Sequence, residues 1–335
     1  MTNQASTQMT PTQEPLLRLD GVHVTFDAPS GSAHILDGVN LSIQSGEILG
    51  IVGESGSGKS VTAMSIIQLL QKPGRISGGR IVYKGTDLMQ ISKEEMRKIR
   101  GNEISMIFQN PRSALNPVFK IGRVINEVLK IHEGLSGAKA HKRAIELLSN
   151  VGLADPESVL TRYPHQVSGG MAQRVMIALA LASRPSLLIA DEPTTALDVT
   201  IQYQIIQLLK RLQKEADLTQ IVITHNLGVV AELCERVVVM YAGTVVEEGR
   251  TIDIFDSPKH PYTRGLLAAR AAHASGEGKL QTIPGQVPDL RERPTGCPFH
   301  PRCAFATKAC SKDAPSLMSV GENHKAACLR WEEIS

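Results

Sequence analysis

Gly53-Glu54-Ser55-Gly56-Ser57-Gly58-Lys59-Ser60, followed by Val61, fits G-x-x-x-x-G-K-[ST], the pattern of a phosphate-binding loop. Residues 47–52 before it read as a buried strand, and residues 61–70 after it as a helix. Strand, glycine-rich turn and helix together form the context the motif needs. The glycines let the backbone curl so that successive N–H groups face phosphate oxygens. The helix start adds its positive dipole end. In this reading Lys59 reaches the β- and γ-phosphates and the Ser60 hydroxyl ligates Mg²⁺. The chain is expected to bind a nucleoside triphosphate.

The chain has 335 residues, enough for one large domain or two smaller ones. Composition is 42% hydrophobic and 21% charged, ordinary for a globular protein. A net charge of +3 gives no argument for nucleic-acid binding. The longest apolar run, residues 175–182, is far short of the roughly 20 residues that span a bilayer. Residues 1–15 are polar, lack the apolar stretch of a signal peptide and are expected to be disordered. These features suggest a protein in the cytoplasm or on the cytoplasmic side of a membrane.

Around the loop, strands are expected at 16–26, 35–43, 80–83, 104–108, 186–190, 221–224 and 237–240, with 244–248 as a hairpin partner. Gly78-Gly79 and Lys84-Gly85-Thr86 read as turns. Helices are expected at 93–100, across 121–152 with breaks at glycine, from 171 to about 183, and at 199–216. Alternating strands and helices predict an α/β core around a largely parallel sheet. The character changes near residue 252, where proline- and cysteine-containing segments begin.

The run Leu187-Leu188-Ile189-Ala190-Asp191-Glu192 is an apolar strand ending in two acids. In a phosphate-loop fold Asp191 holds Mg²⁺ and Glu192, one step on, polarises the attacking water. Thr195-Ala196-Leu197-Asp198 follows directly. Gln109 ends the strand before it, and either touches Mg²⁺ or is a plain polar terminus. His225 ends the 221–224 strand, and either contacts the γ-phosphate or is a satisfied buried histidine. Ser168-Gly169-Gly170-Met171 opens a helix and builds a second phosphate-facing helix start. One nucleotide cannot use two distant ends of one chain. A head-to-tail pair of chains resolves this, each nucleotide lying between the phosphate loop of one and Ser168-Gly169-Gly170 of the other.

The ordered set of phosphate loop, Gln109, Ser168-Gly169-Gly170, Asp191-Glu192, Thr195 to Asp198 and His225 resembles the ATP-binding cassette (ABC) ATPases, over about residues 16–249. The resemblance implies a P-loop NTPase ABC ATPase fold: a RecA-like core sheet, an antiparallel β subdomain, and a helical subdomain at about 110–183. It implies ATP bound by residues 53–61, with Phe26 stacked on adenine; a core aromatic is the other reading of Phe26. It implies Mg²⁺ held by Ser60, Gln109 and Asp191. Glu192, Gln109 and His225 take the catalytic positions, Asp198 lies in the D-loop, and Ser168, Gly169, Gly170 and Met171 face the partner's ATP. The family commonly has Gln where this chain has Met171; methionine there matches the peptide-importer branch.

Residues 257–267 and 283–288, leading into Gly296-Cys297-Pro298-Phe299-His300-Pro301-Arg302-Cys303, resemble segments of the dipeptide, oligopeptide and nickel importer ATPases. Four of the five cysteines lie in this tail: Cys297, Cys303, Cys310 and Cys328. Four clustered thiols can hold zinc or an iron–sulfur cluster, or remain reduced structural thiols. C-x2-C pairs are absent, and the resemblance points to [4Fe–4S]. Cys234 reads as a buried small hydrophobe.

The resemblance thus implies an ATPase driving di-/oligopeptide or nickel uptake from the cytoplasmic face of the inner membrane. Its partners would be a second, homologous ABC ATPase subunit, two transmembrane permease subunits and, through them, an extracytoplasmic solute-binding protein. Residues 110–119 would dock the permeases, and no nucleic acid is expected. Two other classes are a soluble ABC ATPase acting on nucleic acid or ribosomes, and a non-catalytic nucleotide sensor with a metal-binding tail. The first lacks a second cassette or a coiled-coil insertion here. Glu192 and His225 speak against the second.

Overall fold

A computed structural model describes residues 14–28, 31–195, 197–275 and 283–334; the expected disordered stretch up to residue 13 and Ala196 lie outside these. In chain order the strands are β1 (Leu17–Ala28), β2 (Gly31–Ile43), β3 (Ile48–Val52), β4 (Gly74–Tyr83), β5 (Thr86–Asp87), β6 (Ile104–Ile107), β7 (Leu187–Asp191), β8 (Thr219–Ile223), β9 (Arg236–Tyr241), β10 (Thr244–Arg250), β11 (Met318–Gly321) and β12 (His324–Ala326). The helices are α1 (Lys59–Ile66), α2 (Lys93–Ile99), α3 (Pro111–Ala114), α4 (Ile121–Glu133), α5 (Gly137–Asn150), α6 (Pro156–Thr161), α7 (Gly169–Leu181), α8 (Val199–Ala216), α9 (Leu227–Leu233), α10 (Thr251–Asp256) and α11 (Pro261–Ser275).

The strands form two sheets. The larger runs β11-β12-β10-β9-β3-β8-β7-β6, and its five strands from β9 to β6 are parallel. β3, β7 and β8 are buried along their whole length, as parallel strands covered on both faces must be. Their side chains alternate between two cores. Leu49, Ile51, Ile189 and Ile221 pack with the antiparallel sheet β2-β1-β4-β5 and α1. Ile48, Val52, Leu188 and Val222 pack with α4, α5, α7 and α8, where α4 and α5 each contribute an apolar stripe. The C-terminal ends of β3, β6, β7 and β8 open on one edge, where ligands of open parallel sheets bind.

The expected elements are present, with local differences. Gly78-Gly79 is not a turn but lies inside β4. There the β1–β4 register shifts, and a Cβ on Gly79 would come 2.3 Å from the Gly21 carbonyl oxygen. Gly79 serves a close backbone approach rather than a reversal, and Gly78 lies beside the His23 ring. The expected reversal is at Lys84-Gly85, both at positive φ, joining β4 to β5. α1 ends at Ile66, short of residue 70, because Gln68 turns to φ 50°.

β12 pairs with β10 and β11 with β12, so strands from beyond residue 252 extend the larger sheet. One buried acid anchors the crossing. Glu247 of β10 is fully buried and accepts from the Lys259 N–H (2.6 Å), the His260 N–H (3.0 Å) and, at 2.8 Å, bonds His324 Nε2 on β12. His260 is itself buried, which drives its pKa down to about 4 and keeps its ring neutral. Glu247→Ala would leave these buried donors without an acceptor. It is expected to cost about 3 kcal/mol and to free the segment after residue 251. Urea unfolding should show the loss, and limited proteolysis should cut that segment first while the parallel core stays intact.

Candidate active site

The phosphate loop is built by strain that only glycine tolerates. Gly53 has φ 154°, and a Cβ there would meet the Met240 carbonyl oxygen at 2.2 Å; Gly58, at φ 102°, caps α1. Lys59 folds back into the loop. Its Nζ donates to the Gly53 carbonyl (2.8 Å) and the Glu54 carbonyl (2.9 Å). Burial pushes its pKa down, and the neighbouring carboxylates of Glu192, Asp191 and Glu54 oppose that.

Asp191 ends β7 buried beside the Ser60 hydroxyl, which hydrogen-bonds it. Its Oδ1 has no hydrogen-bond partner, and burial raises its pKa. A buried carboxylate oxygen with a free lone pair beside a hydroxyl suits a hard cation such as Mg²⁺. Ser60 and Gln109 line one open cavity, and Asp191 lies behind Ser60 rather than on its wall.

Glu192 sits at φ 52°, a conformation that aims its side chain into the cleft; its N–H bonds the Ile223 carbonyl at 2.8 Å. Both carboxylate oxygens are held. Oε1 lies 2.7 Å from His225 Nδ1 and 3.2 Å from the His225 N–H, and Oε2 accepts from the Thr195 hydroxyl at 2.6 Å. His225 is not a buried core histidine: its side chain is 64% exposed, so its imidazole meets both Glu192 and the cleft.

One open cavity of about 910 Å³ gathers Glu54, Ser55, Gly56, Gly58, Lys59, Ser60, Val61, Gln109, Glu192 and His225. Ser57 lies beneath this surface, fully buried. Phe26 is not on the cavity wall; its half-buried ring packs against Gly74. Ser168, Gly169, Gly170 and Met171 are also absent from it, at the start of α7, with Ser168 exposed and the other three half-buried. The Ser168 hydroxyl accepts from the Met171 N–H at 3.2 Å, and Gly170 lets α7 approach Ile201 on α8, where a Cβ would stand 2.9 Å from it. Asp198 caps α8 through the Ile201 N–H at 3.0 Å.

The sequence reading missed the tail's contribution. Gly285, Gln286, Val287, Leu290 and Arg302 line the same cavity. Residues 283–288 carried only a family resemblance, and no local pattern ties them to the phosphate loop.

Cys297, Cys303, Cys310 and Cys328 do come together, around one small cavity walled by Phe299, Phe305 and Ile334. All four are free thiols. Burial pushes the Cys297 thiol up to about 11, and burial also raises Cys303 and Cys328. Among the described residues, however, no three or more Cys, His, Asp or Glu side chains converge as metal ligands do. The geometry therefore gives the [4Fe–4S] expectation no support, although four thiols on one cavity have the donor chemistry that suits a thiophilic metal. Cys234 lies apart, buried against Gly50, as expected.

Comparison with known proteins agrees with this geometry. Residues 36–195 match the family model described as ABC transporter, and residues 246–310 the one described as oligopeptide/dipeptide transporter, C-terminal region. The dipeptide transport ATP-binding protein DppD of Escherichia coli is 47% identical over 313 residues, 93% of this chain and 96% of that one. DppD of Haemophilus influenzae is 48% identical, over 93% of this chain and 94% of that one. Among solved structures, the ATP-binding cassette MJ0796, in a dimeric post-hydrolysis state bound to ADP and Pi, is similar at TM-score 0.64 and 33% identity. It covers 70% of this chain and 98% of its own. The match to cbiO1 of Clostridium perfringens, part of an ABC transporter complex, has TM-score 0.63 and 27% identity, over 79% of this chain and all of that one. The chain thus has the ABC ATPase fold and is an ATPase. It belongs to the ATP-binding subunits of the ABC transporter family, in the branch that carries the oligopeptide/dipeptide transporter C-terminal region.

Proposed function

We propose that this chain hydrolyses ATP to drive uptake of dipeptides, oligopeptides or a related solute such as nickel, through separate transmembrane subunits. The observation that carries the reading is the single cavity joining phosphate loop, Gln109, Glu192 and His225, on a chain similar along nearly its whole length to dipeptide transport ATP-binding proteins. Residues 16–250 are assigned to the nucleotide-binding domain and 251–335 to the importer-type extension.

The chemistry follows from the geometry. The N–H groups of residues 55–60 and the Lys59 ammonium receive the β- and γ-phosphates. Ser60, Asp191 and Gln109 would hold Mg²⁺, which when bound offsets phosphate charge and polarises the transferred phosphoryl group. Glu192 orients the attacking water and accepts its proton. His225 and Thr195 fix the Glu192 oxygens, so the base is preset before substrate arrives. Phe26 is assigned to adenine by family resemblance alone.

Ser168, Gly169, Gly170 and Met171 are assigned to the nucleotide of a second, homologous cassette, with Asp198 beside that interface. Ser168 is exposed and the other three half-buried, all outside the chain's own cavity, which supports this. An apolar cavity of about 260 Å³ between Leu69, Met106, Phe108, Leu115 and Leu179 supports permease docking beside Gln109. Val118, 69% exposed, lies nearby in sequence. Among the described residues no helix is long and apolar enough to cross a membrane. A peripheral place on the cytoplasmic face, with a solute-binding protein reached through the permeases, completes the assignment. For the four tail cysteines we assign a thiophilic metal centre, [4Fe–4S] or zinc, on donor chemistry and shared cavity.

Three outcomes are expected. Glu192→Gln should bind ATP like wild type and lose about 10²–10⁴ in turnover; calorimetry and a phosphate-release assay together read this, and near-normal turnover would remove Glu192 from the mechanism. Lys59→Ala should weaken ATP binding to the isolated chain, whereas Ser168→Arg should leave that binding unchanged and abolish turnover of the assembled pair of cassettes; a Ser168→Arg chain that binds ATP weakly on its own would place Ser168 on the chain's own site. Protein purified without oxygen should contain iron and sulfide, or zinc, and should lose it on Cys→Ser substitution at 297, 303, 310 or 328 but not at 234; metal-free protein would leave four structural thiols.

A further inference from the structure

Glu54 is an awkward residue for a phosphate loop. It follows Gly53 directly and lines the nucleotide cavity, where its carboxylate would repel a polyanion. The structure shows how that charge is restrained. Arg302, from the tail, grips it with both terminal nitrogens, Nη1 to Oε2 at 2.6 Å and Nη2 to Oε1 at 3.1 Å. This is the paired geometry that only a guanidinium provides.

The other three donors of Arg302 are used as well. Nε donates to the Pro284 carbonyl (2.9 Å), Nη2 to the Ile283 carbonyl (3.2 Å) and Nη1 to the Tyr241 hydroxyl (3.4 Å). All five N–H groups are therefore satisfied, and the side chain is only 5% exposed. The same residue of the loop is pinned a second time: the Glu54 N–H donates to the Tyr262 hydroxyl at 2.7 Å. Tyr262 is fully buried in an aromatic group with Tyr241 and Phe299 (ring centroids 4.7 and 5.4 Å away), over which the Arg302 guanidinium lies. The segment that Arg302 holds continues into Gln286, Val287 and Leu290 on the cavity wall.

We propose that Arg302 is a positioning residue of the nucleotide site, which holds the Glu54 carboxylate off the phosphates and makes ATP affinity depend on docking of the C-terminal extension. The proposal rests on the nucleotide-site reading above. Release of the extension would at once free a negative charge in the phosphate loop, unpin the Glu54 backbone and remove one wall of the cavity. By linkage, bound ATP would strengthen docking of the extension by the same factor.

The test is the ATP dissociation constant of the full chain by calorimetry, for wild type, Lys59→Ala, Arg302→Gln and the double variant Arg302→Gln/Glu54→Gln. Arg302→Gln should weaken ATP binding within the roughly 5- to 150-fold span of coupled sites. The double variant, which has no carboxylate left to restrain, should recover most of that loss. An Arg302→Gln variant that binds like wild type would overturn the proposal. So would a double variant as weak as Arg302→Gln, because Arg302 would then serve the extension's folding alone. Lys59→Ala separates the two levels: if it binds ATP normally, the nucleotide-site reading itself fails.

Discussion

The site is organised around one buried cation. Lys59 lies at 8% exposure at the mouth of β3, and its immediate partners are carbonyl oxygens of the loop itself. Burying an ammonium without a contacting carboxylate is costly. The cost is offset by charges at a distance, Asp191 and Glu192 from the end of β7 and Glu54 from the loop. Parallel order in β3, β8, β7 and β6 is what brings these ends to one edge. The loop thus sets a buried ammonium beside two acids at one edge, which is the charge arrangement of a phosphate-transfer site.

The tail is part of this arrangement rather than an appendage. Glu247 ties it to β10, and β12 adds to the core sheet. Arg293 bonds the Ala242 carbonyl at 2.6 Å and pairs with Asp37 on β2. Arg302 and Tyr262 both end on Glu54. Three separate polar fastenings thus tie the tail to the core, and the last of them reaches the phosphate loop itself. Cys303, the residue after Arg302, lies on the thiol-lined cavity. Whatever the thiols hold, the route from them to the phosphate loop is a single turn, His300–Arg302.

Much of this was legible in the sequence because the signals were local. The phosphate loop needs glycines at fixed offsets, and β3, β7 and β8 need unbroken apolar runs to be covered on both faces. Helix α8 was readable to both ends from its apolar spacing. Glu192 was found at the end of an apolar strand; Gln109 and His225 were ambiguous strand ends locally and took their roles from their order along the chain and the family resemblance. What stayed hidden depends on distance along the chain. Glu54 and Arg302 each lie in a marked segment, but 248 positions separate them and nothing local pairs the two. Gly78-Gly79 looked like a turn because the demand for glycine comes from the Gly21 backbone across the sheet. The cysteine spacing signalled a cluster, but how closely four sulfurs converge is set by packing against Phe299 and its neighbours, which no spacing rule contains.

A structure of the chain with Mg²⁺ and a non-hydrolysable ATP analogue tests the central claim most directly. The account predicts that the β- and γ-phosphates sit at Lys59 Nζ, drawing it from the Gly53 and Glu54 carbonyls. It also predicts the metal on Ser60 and Asp191 Oδ1, and Glu192 facing the γ-phosphate. Phosphates bound elsewhere, or Lys59 still on its carbonyls with the analogue in place, would contradict it.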